Sequence, residues 1–146
     1  MEILDLLLAA SAGSLATLQA GINSQLRLLA GPWWTVCISL AVSVSVTLLV
    51  LLVVRAPLPE KALFSGAPWW IWTGGLCGIV FVLAGAVLAP KLGASSYTSA
   101  IIAGQILCSV LLDQFGILGF PKHSINVQRL LGIILLAAGV FLIRRF

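Results

Sequence analysis

Two primary amides one helical turn apart, Gln19 and Asn23, stand in the first apolar stretch of this sequence, and Gln105, Ser109 and Asp113 form a second polar series in the fourth. A spacing of four puts neighbours within about 40° of one another on a helix, so each series reads as a stripe. These are groups that bind: amides and hydroxyls donate and accept hydrogen bonds, and a carboxylate adds charge. In hydrocarbon an amide requires a partner or a wet cavity. Gln19 and Asn23 therefore read either as an interhelical hydrogen-bond pair or as contacts to a small-molecule substrate, and Asn23 sits near the membrane edge. Intramembrane polar groups are functional candidates by default, but Asp113 closes its stretch, where capping or pairing with a nearby Lys is the plainer account.

Other chemistry is missing from the pattern. No nucleophile–base pair, phosphate-binding loop or metal cluster occurs, so no enzyme activity, cofactor or metal is expected. Glu2, Asp5, Glu60 and Asp113 are all terminal or in connections, so no apolar stretch carries a carboxylate at its midpoint. A central carboxylate is what a proton-for-cation exporter titrates. Neutral or anionic substrates, or facilitated diffusion, are expected instead. His123 follows Pro121 and Lys122 and reads as a loop residue, while Cys37, Cys77 and Cys108 read as small buried hydrophobes.

The elements that position these residues are five apolar stretches, 3–26, 33–54, 69–89, 94–112 and 124–143. A spanning helix needs about 20 apolar residues to cross about 30 Å of hydrocarbon. Hydrophobic residues make up 61% and charged residues 8% of the 146-residue chain. A soluble domain carries about 25% charged residues, so a water-soluble fold is excluded. The expected fold is an all-α membrane protein, one transmembrane domain over residues 1–146. Glu2 and Asp5 stand where a cleaved signal peptide has a basic region, so the first stretch reads as a spanning helix. The net charge of +4 is spread over the connections and suits lipid headgroups, with no nucleic-acid partner expected.

The connections are short. Arg27 to Pro32 links the first two helices, Arg55 to Pro68 the next pair, and Pro90 to Gly93 makes the third and fourth antiparallel neighbours. Asp113 to His123 is rich in apolar residues, and Phe115, Ile117, Leu118 and Phe120 should keep it at the interface. Pro32-Trp33-Trp34 and Pro68-Trp69-Trp70 open the second and third helices, with proline in the first turn and tryptophan at headgroup level; Trp72 follows. Small-residue ridges, Ala12-Ala16-Ala20, Gly13-Thr17-Gly21, Gly74-Gly78 and Gly132-Gly139, are expected to let helices approach closely.

The basic residues favour neither side of the membrane. Alternation puts Arg55, Lys61, Lys122 and Arg129 on the N-terminal face (face A), against Arg27, Lys91, Arg144 and Arg145 on face B. Orientation follows an excess of Lys and Arg on one side, so this balance is that of a chain able to insert both ways.

Several segments resemble the YdcZ-like family, small membrane proteins of the drug/metabolite transporter superfamily. LQAGINSQL over Leu18–Leu26 is similar to its first-helix signature. APKLGASSY over Ala89–Tyr97 and AGQILCSVLLDQFG over Ala103–Gly116 are similar to its third-to-fourth helix core. RLLGIILLAAGVFLI over Arg129–Ile143 resembles its closing helix. The family often has His after the Asp, where this chain has Gln114, and an aromatic and a glycine where it has Leu40 and Ser43. The resemblance implies a transporter of the bacterial cytoplasmic (inner) membrane, related to ten-helix proteins built from two five-helix halves of opposite topology.

Five helices cannot divide into two equal inverted halves, whereas alternating access commonly uses inverted repeats with a site between them. The expected form is half of an inverted-repeat transporter, completed by a second copy in antiparallel orientation or by an oppositely oriented paralogue. The polar stripes would line the shared cavity. A non-transporting scaffold or regulatory subunit is the alternative, and predicts one fixed orientation.

Overall fold

The computed structural model describes residues 2–60 and 66–145, with the Glu2 side chain set aside. Lys61, one of the four face A cations, and Ser65 lie outside the described residues. Among the described residues every regular element is helical: α1 (Glu2–Ala30), α2 (Pro32–Val53), a 3₁₀ turn (Trp69–Thr73) running into α3 (Gly74–Leu92), α4 (Ala94–Phe115) and α5 (Val127–Arg145). Counting the 3₁₀ turn with α3, five helical spans are long and apolar enough to cross a membrane, the shortest having 19 residues. At 1.5 Å per residue that one rises about 28 Å, close to the hydrocarbon thickness.

The chain forms two compact units, Met1–Pro90 and Lys91–Phe146. In the first, α1 packs on α2. Its buried positions form short stripes at helical spacing: Ala20, Asn23 and Ser24 on α1, Thr35 and Val36 on α2, and Val82, Gly85, Ala86 and Ala89 on α3. An apolar groove of about 370 Å³, bordered by Trp33, Val80, Leu83 and Val87, runs between the start of α2 and α3. In the second unit α4 packs on α5.

Helix ends differ from the sequence expectation, and the cause is local. α1 continues to Ala30 and the link to α2 shrinks to Gly31, with φ 79° and ψ 167°. α3 carries Pro90 inside its last turn and runs to Leu92, so Gly93, at φ 84° and ψ 151°, is the whole link to α4. That combination of angles is essentially confined to glycine, which lets the chain stop one helix and start another within one residue. Gly31 then accepts the Thr35 N–H at 3.1 Å and Gly93 accepts the Tyr97 N–H at 2.9 Å, opening the following helices. Pro32 occupies the first turn of α2 as expected.

The packing ridges are redistributed. Ala20 is buried and Ala16 and Thr17 half-buried, but Ala12, Gly13 and Gly21 are exposed. A Cβ added at Gly74, Gly78, Gly132 or Gly139 would meet nothing within 4 Å, so close approach at these glycines is not used among the described residues. Cys37, Cys77 and Cys108 are exposed rather than buried. In a membrane, thiols of this low polarity tolerate a lipid-facing position.

Candidate functional site

The polar residues of α1 gather along one strip. Ala20, Asn23 and Ser24 are 6%, 4% and 8% exposed, and Arg27 continues the i, i+3, i+4, i+7 sequence. Gln19 flanks the strip, half-buried. The Ser24 hydroxyl donates to the Gly21 carbonyl at 2.7 Å. Nε of Arg27 is buried and has no hydrogen-bond partner, although the residue as a whole is half-buried. Through the Gly31 link the strip connects to Thr35: Gly31 donates its N–H to the Arg27 carbonyl at 2.9 Å, and its own carbonyl accepts the Thr35 hydroxyl at 2.8 Å. Thr35 is fully buried. The strip thus combines an amide, two hydroxyls committed to backbone carbonyls, and a guanidinium.

The second unit treats its polar series differently. Gln105, at the middle of α4, is exposed. Ser109 is exposed as well, and its hydroxyl proton goes to the Ile106 carbonyl at 2.9 Å, the local bonding that makes a hydroxyl acceptable in a helix. Asp113 forms an ion pair with Nη1 of Arg129 at 3.2 Å. The partner is an arginine on α5 rather than a lysine.

Around that pair the α4–α5 connection is tightly fastened. Gly116 closes α4 in the left-handed conformation, φ 62°, and donates its N–H to the Leu112 carbonyl at 2.8 Å. The His123 N–H reaches the Asp113 carbonyl at 2.8 Å, while Arg129 Nη1 donates to the His123 carbonyl at 3.1 Å. Gln114 accepts the Ile125 N–H at 2.7 Å, and the Asn126 side chain caps α5 by accepting the Arg129 N–H at 2.8 Å. Phe115, Ile117, Leu118 and Phe120 are exposed.

Gln19 and Asn23 belong to the first unit, and Gln105, Ser109 and Asp113 to the second. Sequence reasoning passed over Ser24, Thr35 and Arg27. Arg27 was assigned to a connection, and extension of α1 to Ala30 places it inside the helix. Its spacing of four from Asn23 was the available signal. Tyr97, read only as part of a polar helix opening, is 5% exposed and its hydroxyl is buried without a partner. Among the described residues no group of His, Cys, Asp and Glu could hold a metal.

Five helical spans with isolated polar strips define a multi-spanning membrane protein. The family model described as "Putative inner membrane exporter, YdcZ" matches residues 4–142. The chain belongs to that family, and it is a multi-pass inner-membrane protein. It is also similar to the "Inner membrane protein YdcZ" of Escherichia coli (strain K12), with 31% identity over 83 residues. That alignment covers 57% of this chain and 55% of the relative, so the similarity spans about half of the curated protein. No solved structure matches the chain.

Proposed function

We propose that this protein is a small-molecule exporter that works by alternating access, as a pair of copies inserted in opposite orientations. The observation that carries the reading is the charge balance, four basic residues on each alternating face of a five-span chain. Such a chain lacks the bias that fixes orientation, and an odd number of spans needs an inverted second copy to complete an inverted-repeat transporter. Gln105 supports it: an exposed amide at the middle of a spanning helix is costly against lipid and calls for a partner surface. The family's description as an exporter agrees with a carrier rather than an enzyme.

In this reading Gln19 and Asn23 from α1 and Gln105 and Ser109 from α4 supply the polar groups of a shared cavity. Asp113, held by Arg129, fixes the end of α4 beside it. One copy rocks against the other. The test is labelling of intact cells with an impermeant thiol reagent. Single cysteines are introduced at Leu58 or after Phe146 in a version with Cys37, Cys77 and Cys108 replaced. Partial labelling at both positions is expected. Labelling at only one position would remove the homodimer and turn attention to an oppositely oriented paralogue or to a scaffold role.

A further inference from the structure

Among the described residues Arg27 makes no ion pair. A basic residue in the last turn of a helix favours the helix dipole, and an arginine near a membrane edge ordinarily extends its guanidinium to water. Burial of Nε without any hydrogen-bond partner departs from that arrangement. The protein's own carboxylates do not explain it. Asp113 is paired with Arg129. Glu2 and Asp5 lie toward the opposite end of the same helix, more than about 30 Å away along its axis. Glu60 follows the far end of α2, whose 22 residues rise about 33 Å from the Gly31 link.

Beside Arg27 stands Asn23, only 4% exposed. Its amide N–H₂ donates in the same sense as the guanidinium. Ser24 and Thr35 are neutral and bring no negative charge to the strip, and both their hydroxyl protons go to backbone carbonyls. A guanidinium beside an amide, with no carboxylate in reach, is matched by a planar or tetrahedral oxyanion that takes parallel N–H bonds.

We propose that Arg27, with Asn23, binds the anionic head of a small organic molecule, a carboxylate or a phosphate. Binding itself does not depend on the exporter reading. If that reading holds, the site assigns organic anions as the cargo class. A phosphate could also come from an anionic lipid headgroup, and the test separates the two sources.

The full chain is placed in nanodiscs of zwitterionic phosphatidylcholine and titrated with benzoate by calorimetry. In parallel, native mass spectrometry follows retention of phosphatidylglycerol added to the same discs. Wild type is expected to bind one of the two probes. Arg27→Gln should weaken that binding at least tenfold. Asn23→Asp is the second variant, because it leaves Arg27 in place and supplies a carboxylate one turn away, the i, i+4 arrangement of a helical ion pair. It should abolish binding of either probe while keeping the fold intact. Benzoate binding lost in both variants assigns a soluble organic anion; phosphatidylglycerol retention lost in both assigns a lipid headgroup. Binding of neither probe by wild type, or undiminished binding in the well-folded Asn23→Asp variant, overturns the proposal. Loss of orientation balance in cells would sink the paired exporter without changing these binding results.

Discussion

Two arginines near helix ends meet opposite fates in this protein. Arg129 in α5 has an ion pair with Asp113 at 3.2 Å and a hydrogen bond to the His123 carbonyl at 3.1 Å. Arg27 in α1 has a buried Nε that reaches no acceptor. The first charge is neutralised where the α4–α5 connection must be held in shape. The second is kept beside buried Asn23 and Ser24 on a strip that has no acidic member. A charge with its own counterion holds structure together, whereas a charge left without one is available to something that arrives from outside. Asp113, which the sequence offers as a binding candidate or more plainly as a cap or ion-pair partner, is occupied structurally, and Arg27, which the sequence places in a connection, is the group that the proposed anion site uses.

The comparison can be broken at several points, beginning with the backbone links. Gly31→Ala should lower stability by about 1–3 kcal/mol, because its conformation is essentially reserved for glycine. Gly116→Ala, in the ordinary left-handed region, should cost about 1–2 kcal/mol, with the new Cβ meeting the Lys122 Cβ at 3.1 Å. Reversible unfolding in detergent gives both values, and equal tolerance of the two alanines would deny that the first link is the more constrained.

Asp113→Asn sharpens the contrast between the arginines themselves. Removing that charge leaves Arg129 without its counterion and should cost about 1–2 kcal/mol, moderated by the partial exposure of both side chains. Asn126→Ala removes the cap of α5 and should cost about 1 kcal/mol. Arg27→Gln is the smallest expected effect. Without bound anion it should leave stability unchanged within about 0.5 kcal/mol or raise it, since an uncompensated charge disappears. A loss as large as that of Asp113→Asn would mean Arg27 has a structural partner after all.

Much of the fold was legible because hydrocarbon imposes a simple rule. Five apolar stretches about as long as the bilayer core is thick had to be helices, and Pro32 and Pro68 with their following tryptophans marked where two helical spans begin. The ends were less legible, since they depend on backbone angles and caps rather than on hydropathy. Gly31 and Gly93 let one helix stop and the next start within a single residue, so α1 and α3 run four and three residues past the apolar stretches that announced them. α5 starts at Val127, three residues later than expected, because Asn126 is the residue that can cap it. Gln114 is explained only by the loop it fastens through the Ile125 N–H. The burial of Ser24 and Thr35 was hidden for a similar reason. Nothing in a list of polar residues says which side of a helix faces a neighbour until the neighbour's register is known.

Balanced insertion is the central claim, and forced orientation tests it most directly. Two variants would be made, one with added lysines in the Arg55–Pro68 connection and one with added lysines after Phe146. Each would carry a different affinity tag, and the two would be expressed separately and together. The balanced chain should yield pairs only between the oppositely biased variants, with each variant alone recovered unpaired. Stable pairs formed within a single biased variant, or none between the two, would contradict the antiparallel assembly.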